Sequence, residues 1–80
     1  MDTREKIEQI LTYQFAPTQL EVIDESYMHK GHQGNGHFKV IMKSQKFNGL
    51  TAVEGHRLVY QALNKLMESQ IHALSMDLSS

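Results

Sequence analysis

The sequence predicts an α/β (α+β) fold with the element order α-β-β-α-β, in which a three-stranded mixed sheet is covered by helices on one face. Three observations lead to this prediction. Two segments carry apolar residues at helical spacing, three shorter segments alternate between apolar and polar residues, and 80 residues leave room for one domain. We therefore expect a single domain over residues 1–80.

The first helix is predicted over residues 2–13. Its apolar residues fall at i, i+3 and i+4 on one side of the helix: Ile7, Ile10 and Leu11. Asp2 and Glu5 have the spacing of a capping box at the helix start. Because Pro17 disfavours a helical conformation at Ala16, we expect the helix to end before it.

The first two strands are predicted over residues 19–25 and 37–44. The alternation in the second strand places its apolar residues on one face: Phe38, Val40 and Met42. Residues 26–36, between the two strands, contain three glycines, an asparagine and two histidines, which is typical of an exposed loop. Two strands joined in this way predict an antiparallel hairpin.

The longest periodic segment, residues 51–69, predicts the second helix. Its apolar side is expected to consist of residues that recur at helical spacing: Val53, His56, Val59, Tyr60, Leu63, Leu66 and Met67. Thr51 and Glu54 form a second capping-box pair, whereas Gly55 weakens the first turn by roughly 1 kcal/mol relative to alanine. A third strand follows over residues 71–78, with Ile71 expected on the same face as Ser75 and Asp77.

Composition restricts the class of function. The formal net charge of −1 makes a weak electrostatic case for nucleic-acid binding. Without cysteines, the chain can form neither a disulfide framework nor a thiolate metal site of its own. No apolar run approaches ~18 residues, and the N-terminal residues lack the apolar core of a signal peptide. We expect a soluble, cytoplasmic protein.

The sequence contains no recognisable catalytic arrangement. Its serines lie in loops, at element ends or on the last strand, and no nucleophile-elbow motif surrounds them. No pair of carboxylates stands out as an acid–base pair. We therefore predict that the protein is not an enzyme and that it works by binding a partner.

The histidines are the unusual feature, with five in the chain and three of them between positions 29 and 37. His29 and His32 from the loop, together with His72 from the last strand, could contribute to a metal site, although three or four ligands must converge to close one. The alternative is that the loop histidines are solvated and that His72 is a hydrogen-bonded packing residue. His56 lies on the predicted apolar helix face, where a core histidine is expected.

Two features raise nucleic-acid binding as a further hypothesis. The GHQG sequence at 31–34 matches the G-x-x-G pattern of KH domains, but it lies between two strands rather than two helices. Lys39, Lys43 and Lys46 could form a basic stripe, together with Arg57 and Lys65 on the long helix. A solvated sheet face is the favoured interpretation of these lysines.

Together these stretches resemble the BolA family across nearly the whole chain. The matching stretches are LEVIDESYMHKGH at 20–32, HFKVIMKS at 37–44, FNGL at 47–50, VEGHRLVYQAL at 53–63 and IHALSM at 71–76. The resemblance implies an α-β-β-α-β core related to the type II KH fold and a non-enzymatic role. It also implies a monothiol glutaredoxin as partner, with which members share a [2Fe–2S] cluster in iron homeostasis and cluster trafficking.

The resemblance also implies ligands for that cluster. The family's C-terminal histidine maps to His72, and the second ligand maps to His29, with His32 as the alternative on the same loop. A [2Fe–2S] cluster needs four ligands, two of which can be histidines. Since this chain offers only imidazoles, the partner's cysteine and a bound glutathione must supply the thiolates, and we expect no cofactor to be bound by this chain alone.

Some bacterial members of the family are described as transcriptional regulators of stress responses and cell shape. By this alternative, DNA would be contacted by residues on or near the long helix: His56, Arg57, Lys46 and Lys65. Many members carry a basic residue before the helix histidine, where this chain has Gly55. The loss of that charge weakens the DNA-binding hypothesis, and we interpret His56 as mainly structural.

Overall fold

The computed structural model describes residues 1–26 and 36–80. Within these residues, three α-helices and three strands lie in the order α1, β1, β2, α2, α3, β3. Their bounds are α1 Thr3–Phe15, β1 Gln19–Asp24, β2 His37–Lys43, α2 Ala52–Ala62, α3 Asn64–Ser69 and β3 Ala73–Ser79. A 3-10 helix at Gln45–Phe47 leads from β2 towards α2.

Both predicted capping boxes are present. The Asp2 carboxylate accepts a hydrogen bond from the Glu5 backbone N–H at 2.8 Å, and the Glu5 carboxylate accepts one from the Asp2 N–H at 3.0 Å. Thr51 and Glu54 make the same reciprocal pair at the start of α2. These bonds satisfy backbone N–H donors that a helix start leaves unpaired. α1 and α2 therefore begin where their capping-box sequences predict.

The strands form one mixed sheet in the order β1-β2-β3. β1 pairs antiparallel with β2, with Val22 opposite Val40, and β2 pairs parallel with β3, with Val40 opposite Met76. The antiparallel pairing predicted for the first two strands is therefore confirmed, as is the mixed sheet. The parallel pairing needs a crossover connection, which α2 and α3 supply.

The core lies between the helices and one face of the sheet. In the described part of the chain, its buried apolar residues are Ile7, Leu11, Phe15, Val22, Phe38, Val40, Met42, Phe47, Val59, Leu63, Leu66 and Ile71. The three residues predicted to face inward from β2 are all among them. Ser44, which is also fully buried, donates its hydroxyl to the Phe15 carbonyl at 2.6 Å and so ties the end of α1 to the sheet.

The predicted long helix differs from the structure in two ways. It is divided at Leu63 into α2 and α3. The buried side of α2 also lies further round the helix than predicted, because Val53 is 59% exposed and Tyr60 is 39% exposed. Gly55 is buried instead. The prediction was correct for Val59, but the apolar pattern could not show that Gly55 is buried, because glycine adds nothing to it.

The last strand also begins later than predicted. Ile71 and His72 precede β3, which starts at Ala73. Ile71 is only 2% exposed, so the prediction that it shares a face with the exposed Ser75 and Asp77 was wrong. The half-buried residues of β3 that pack against the core are Leu74, Met76 and Leu78. The turn between α3 and β3 therefore buries Ile71 and leaves the next residue, His72, exposed.

Candidate functional site

His72 lies in the turn between α3 and β3, beside Gly36, the residue that precedes β2. Its side chain is exposed, whereas its backbone N–H donates to the Gly36 carbonyl at 2.8 Å. The next backbone N–H, that of Ala73, donates to the same carbonyl at 3.1 Å. The alternative interpretation of His72, as a hydrogen-bonded packing residue on a strand, was wrong, because the residue precedes β3 and its side chain is exposed.

Gly36 lies close against the His72 ring. Its φ is 80°, a left-handed conformation that favours glycine. A Cβ at this position would come within 2.6 Å of His72 Cδ2 and 2.9 Å of the Gln70 carbonyl oxygen. The backbone conformation and the close approach therefore both require glycine here.

Ser26 holds Gly36 from the other side. The Ser26 hydroxyl accepts hydrogen bonds from the backbone N–H of Gly36 at 3.1 Å and of His37 at 3.4 Å. Its own N–H donates to the Asp24 carboxylate at 2.9 Å. The two ends of the segment that carries the loop histidines therefore meet beside His72.

Two of the predicted ligands, His29 and His32, and the GHQG sequence at 31–34 lie outside the described residues. His37 does lie within them, half-buried at the first position of β2 and opposite Ala73. Within residues 1–26 and 36–80, no group of three or more histidine, aspartate or glutamate side chains is placed to hold a metal ion. Of the predicted ligands, the described structure thus shows His72 alone.

This donor set is compatible with a shared cluster and not with one that the chain holds by itself. An exposed imidazole can complete a coordination sphere whose remaining ligands come from elsewhere. The chain contains no cysteine, so it offers no thiolate. A [2Fe–2S] cluster with two histidine ligands still needs two sulfur ligands from another molecule.

His56 lies at the opposite end of β3 from His72. It is half-buried and lines an open cavity of about 380 Å³ together with Phe47, Gly49 and Leu78. The prediction of a core histidine was wrong, because the buried side of α2 passes through Gly55 and Val59 instead. β3 has seven residues, so its two ends are roughly 20 Å apart.

The basic residues proposed for nucleic-acid binding are distributed over several elements. Arg57 on α2, Lys65 on α3 and Lys46 in the 3-10 helix are all exposed. Lys39 and Lys43 lie on the face of the sheet opposite to the helices. On that face the register aligns Ile41 with an acidic residue on each neighbouring strand, Glu21 and Asp77. The sheet face thus carries mixed charge, as expected for a solvated surface.

No helix in the described part of the chain is both long and apolar enough to cross a membrane. Among the described residues, further open surface cavities lie beside the helices and the sheet. One of them, between α1 and β1, is lined by Glu5, Glu8, Tyr13 and Leu20. We take the exposed His72, with the adjacent Gly36 and Ser26, as the candidate functional site.

Comparison with known proteins places the chain in a family. A family model described as BolA-like protein matches residues 11–80. The DNA-binding transcriptional regulator BolA of Escherichia coli (strain K12) is 40% identical over 77 residues, which cover 95% of this chain and 73% of that protein. A BolA-like protein of Dictyostelium discoideum is 45% identical over 73 residues, covering 89% of this chain and 64% of the relative.

Solved structures agree with the sequence matches. The BolA domain of SufE1 from Arabidopsis thaliana superposes with a TM-score of 0.91 at 36% identity, covering 99% of this chain and 93% of that domain. BolA1 from the same plant gives a TM-score of 0.90 at 30% identity, with 99% and 92% coverage. Because the family model spans most of the chain and a relative 40% identical is covered over 73% of its length, the chain belongs to the BolA-like protein family.

Proposed function

We propose that this protein is a non-enzymatic adaptor that binds a monothiol glutaredoxin and shares or transfers a [2Fe–2S] cluster with it. In this proposal His72 supplies one imidazole ligand and His29 or His32 supplies another. The observation that carries the proposal is the position of His72. Its side chain is exposed and contacts Gly36, which is hydrogen-bonded to Ser26 at the other end of the loop.

Chain connectivity supports either loop histidine as the second ligand. His29 follows Ser26 by three residues, and an extended chain covers at most about 11 Å over that length. His32 precedes Gly36 by four residues, which corresponds to at most about 14 Å. Chain length thus permits either histidine to be the second ligand, because Ser26 is hydrogen-bonded to Gly36, which contacts the ring of His72.

The chemistry of the donors sets the nature of the partner. When bound, a [2Fe–2S] cluster supplies one-electron redox chemistry, and histidine ligation raises its reduction potential relative to four thiolates. This chain would contribute imidazole ligands and no thiolate, because it contains no cysteine. A monothiol glutaredoxin with glutathione would bring the two thiolates that the chain lacks.

The test is to mix the purified protein with a cluster-loaded monothiol glutaredoxin and record the visible circular dichroism spectrum. We expect a new spectrum that saturates at one equivalent, because two thiolate ligands are exchanged for imidazoles. His29→Ala and His32→Ala, tested separately, should identify the loop ligand, since one of them should lose the new spectrum and the other keep it. An unchanged spectrum with the wild-type protein would contradict the proposal.

A second candidate, DNA-binding transcriptional regulation, is supported by the name of the E. coli relative. The residues available for it are Arg57, Lys46 and Lys65, all exposed, and the half-buried His56. The charge of the protein argues against DNA binding. The formal net charge is −1, and Gly55 stands where, by the family resemblance, many members have a basic residue. The electrostatic attraction that normally dominates such binding is therefore small.

Promoter DNA binding at two salt concentrations tests this second candidate. If the protein is a regulator, its affinity should fall steeply with salt, and Arg57→Ala should reduce the logarithmic salt slope by about 1. Gln61→Ala serves as the control on the same helix, because it shortens an exposed side chain without changing the net charge. The absence of binding at low salt would contradict a direct role in DNA recognition.

A further inference from the structure

We propose that Gly36 and Ser26 are positioning residues for His72, which set the place of its imidazole before any metal is bound. The inference rests on the proposed function, since it concerns how the chain presents a ligand. Neither residue carries a group that we assign to the cluster. Both act through the backbone and through contact with the ring.

Gly36 fixes His72 in two ways. Its carbonyl accepts the N–H groups of His72 and Ala73, which anchors the backbone of the turn. Its missing side chain leaves the space that the ring occupies, because a Cβ would lie 2.6 Å from His72 Cδ2. One side of an otherwise exposed imidazole is thereby closed by protein, while the rest of the ring is open to a partner.

Ser26 in turn fixes Gly36. Its hydroxyl accepts two backbone N–H groups, those of Gly36 and His37, and its own N–H is held by Asp24. These bonds connect the end of β1 to the start of β2 through one side chain. A continuous set of contacts therefore runs from Asp24 through Ser26 and Gly36 to the ring of His72.

The positive φ of Gly36 does not by itself require the close contact with the His72 ring. Gly49 has the same φ of 80°, yet a Cβ built on it would meet no atom within 4 Å. The contact with His72 is thus a separate property of Gly36. A ligand held in this way loses less rotational freedom when it binds, which favours affinity.

Ser26→Ala tests the proposal without introducing a new clash. The substitution removes the acceptor of the Gly36 and His37 N–H groups. The Gly36 peptide should therefore shift, and the His72 ring should lose its contact with it. In the metal-free protein we expect the NMR signal of His72 Cδ2–H to move towards the value of an unstructured histidine. The apparent affinity for cluster-loaded glutaredoxin, from the circular dichroism titration, should fall by about tenfold.

Two further variants separate positioning from general stability. Ser26→Thr keeps the hydroxyl and should restore both the ring signal and the affinity. Ser75→Ala removes an exposed serine of β3 and should leave both unchanged. If Ser26→Ala binds as tightly as wild type and its His72 signal does not move, the positioning role is wrong although the proposed function stands. If wild type itself gives no new spectrum, the proposed function and this inference both fail.

Discussion

The two ends of the central strand present the same backbone feature in different surroundings. Gly36 precedes β2 and Gly49 follows it, and each has a φ of 80°. At the first end His72 is packed against the glycine, whereas at the second end the glycine faces open space beside the cavity that His56 lines. A shared conformation therefore does not imply a shared constraint, because only the Gly36 end is closed around a histidine.

The largest effect that this comparison predicts is on Gly36→Ala. The substitution combines a left-handed alanine with contacts of 2.6 Å to the His72 ring and 2.9 Å to the Gln70 carbonyl. We expect a loss of about 3 kcal/mol in the free energy of unfolding, measured by urea denaturation. A loss below about 1 kcal/mol would show that the His72 ring moves aside freely.

Gly49→Ala is the matched substitution at the other end. It imposes the same left-handed conformation on alanine, but the added methyl group meets no neighbour within 4 Å. The free energy of unfolding should fall by about 1 kcal/mol, the conformational cost alone. If Gly36→Ala and Gly49→Ala lose the same free energy of unfolding in urea, the contact with His72 does not distinguish Gly36 from Gly49.

The smallest expected effect, and one of opposite sign, is that of Gly55→Ala. Gly55 is buried in α2, but a Cβ would lie 3.4 Å from Phe47 and 3.5 Å from Leu78, which are ordinary contacts. Alanine is the better helix former, so the variant should be more stable by about 0.5–1 kcal/mol. A destabilised variant in the denaturation series would show that this end is packed as strictly as the Gly36 end.

The sequence predicted most of the fold because its signals were local. Both capping boxes and the inward residues of β2 follow from spacing alone. The side of α2 that faces the core followed only in part. Val59 was predicted correctly, whereas the buried Gly55 contributes no hydrophobic signal and the exposed Val53 and Tyr60 contribute a misleading one. Local patterns fail where packing is decided by the absence of a side chain.

The candidate site was predicted in part. His72 was predicted as a ligand through the resemblance to a family and stays a prediction, while His29 and His32 lie outside the described residues. The roles of Ser26 and Gly36 could not be read from the sequence, because they depend on the parallel register of β2 and β3 that brings the start of one strand to the start of the other. Gly36 was one of three glycines in a loop, with nothing local to distinguish it.

The central claim is that His72, and not His56 at the other end of β3, is the histidine that meets the partner's cluster. Visible circular dichroism of cluster-loaded monothiol glutaredoxin, titrated with His72→Ala and with His56→Ala, tests it most directly. We expect His72→Ala to abolish the new spectrum that wild type produces and His56→Ala to retain it. An unchanged spectrum with His72→Ala, or its loss with His56→Ala alone, would contradict the account.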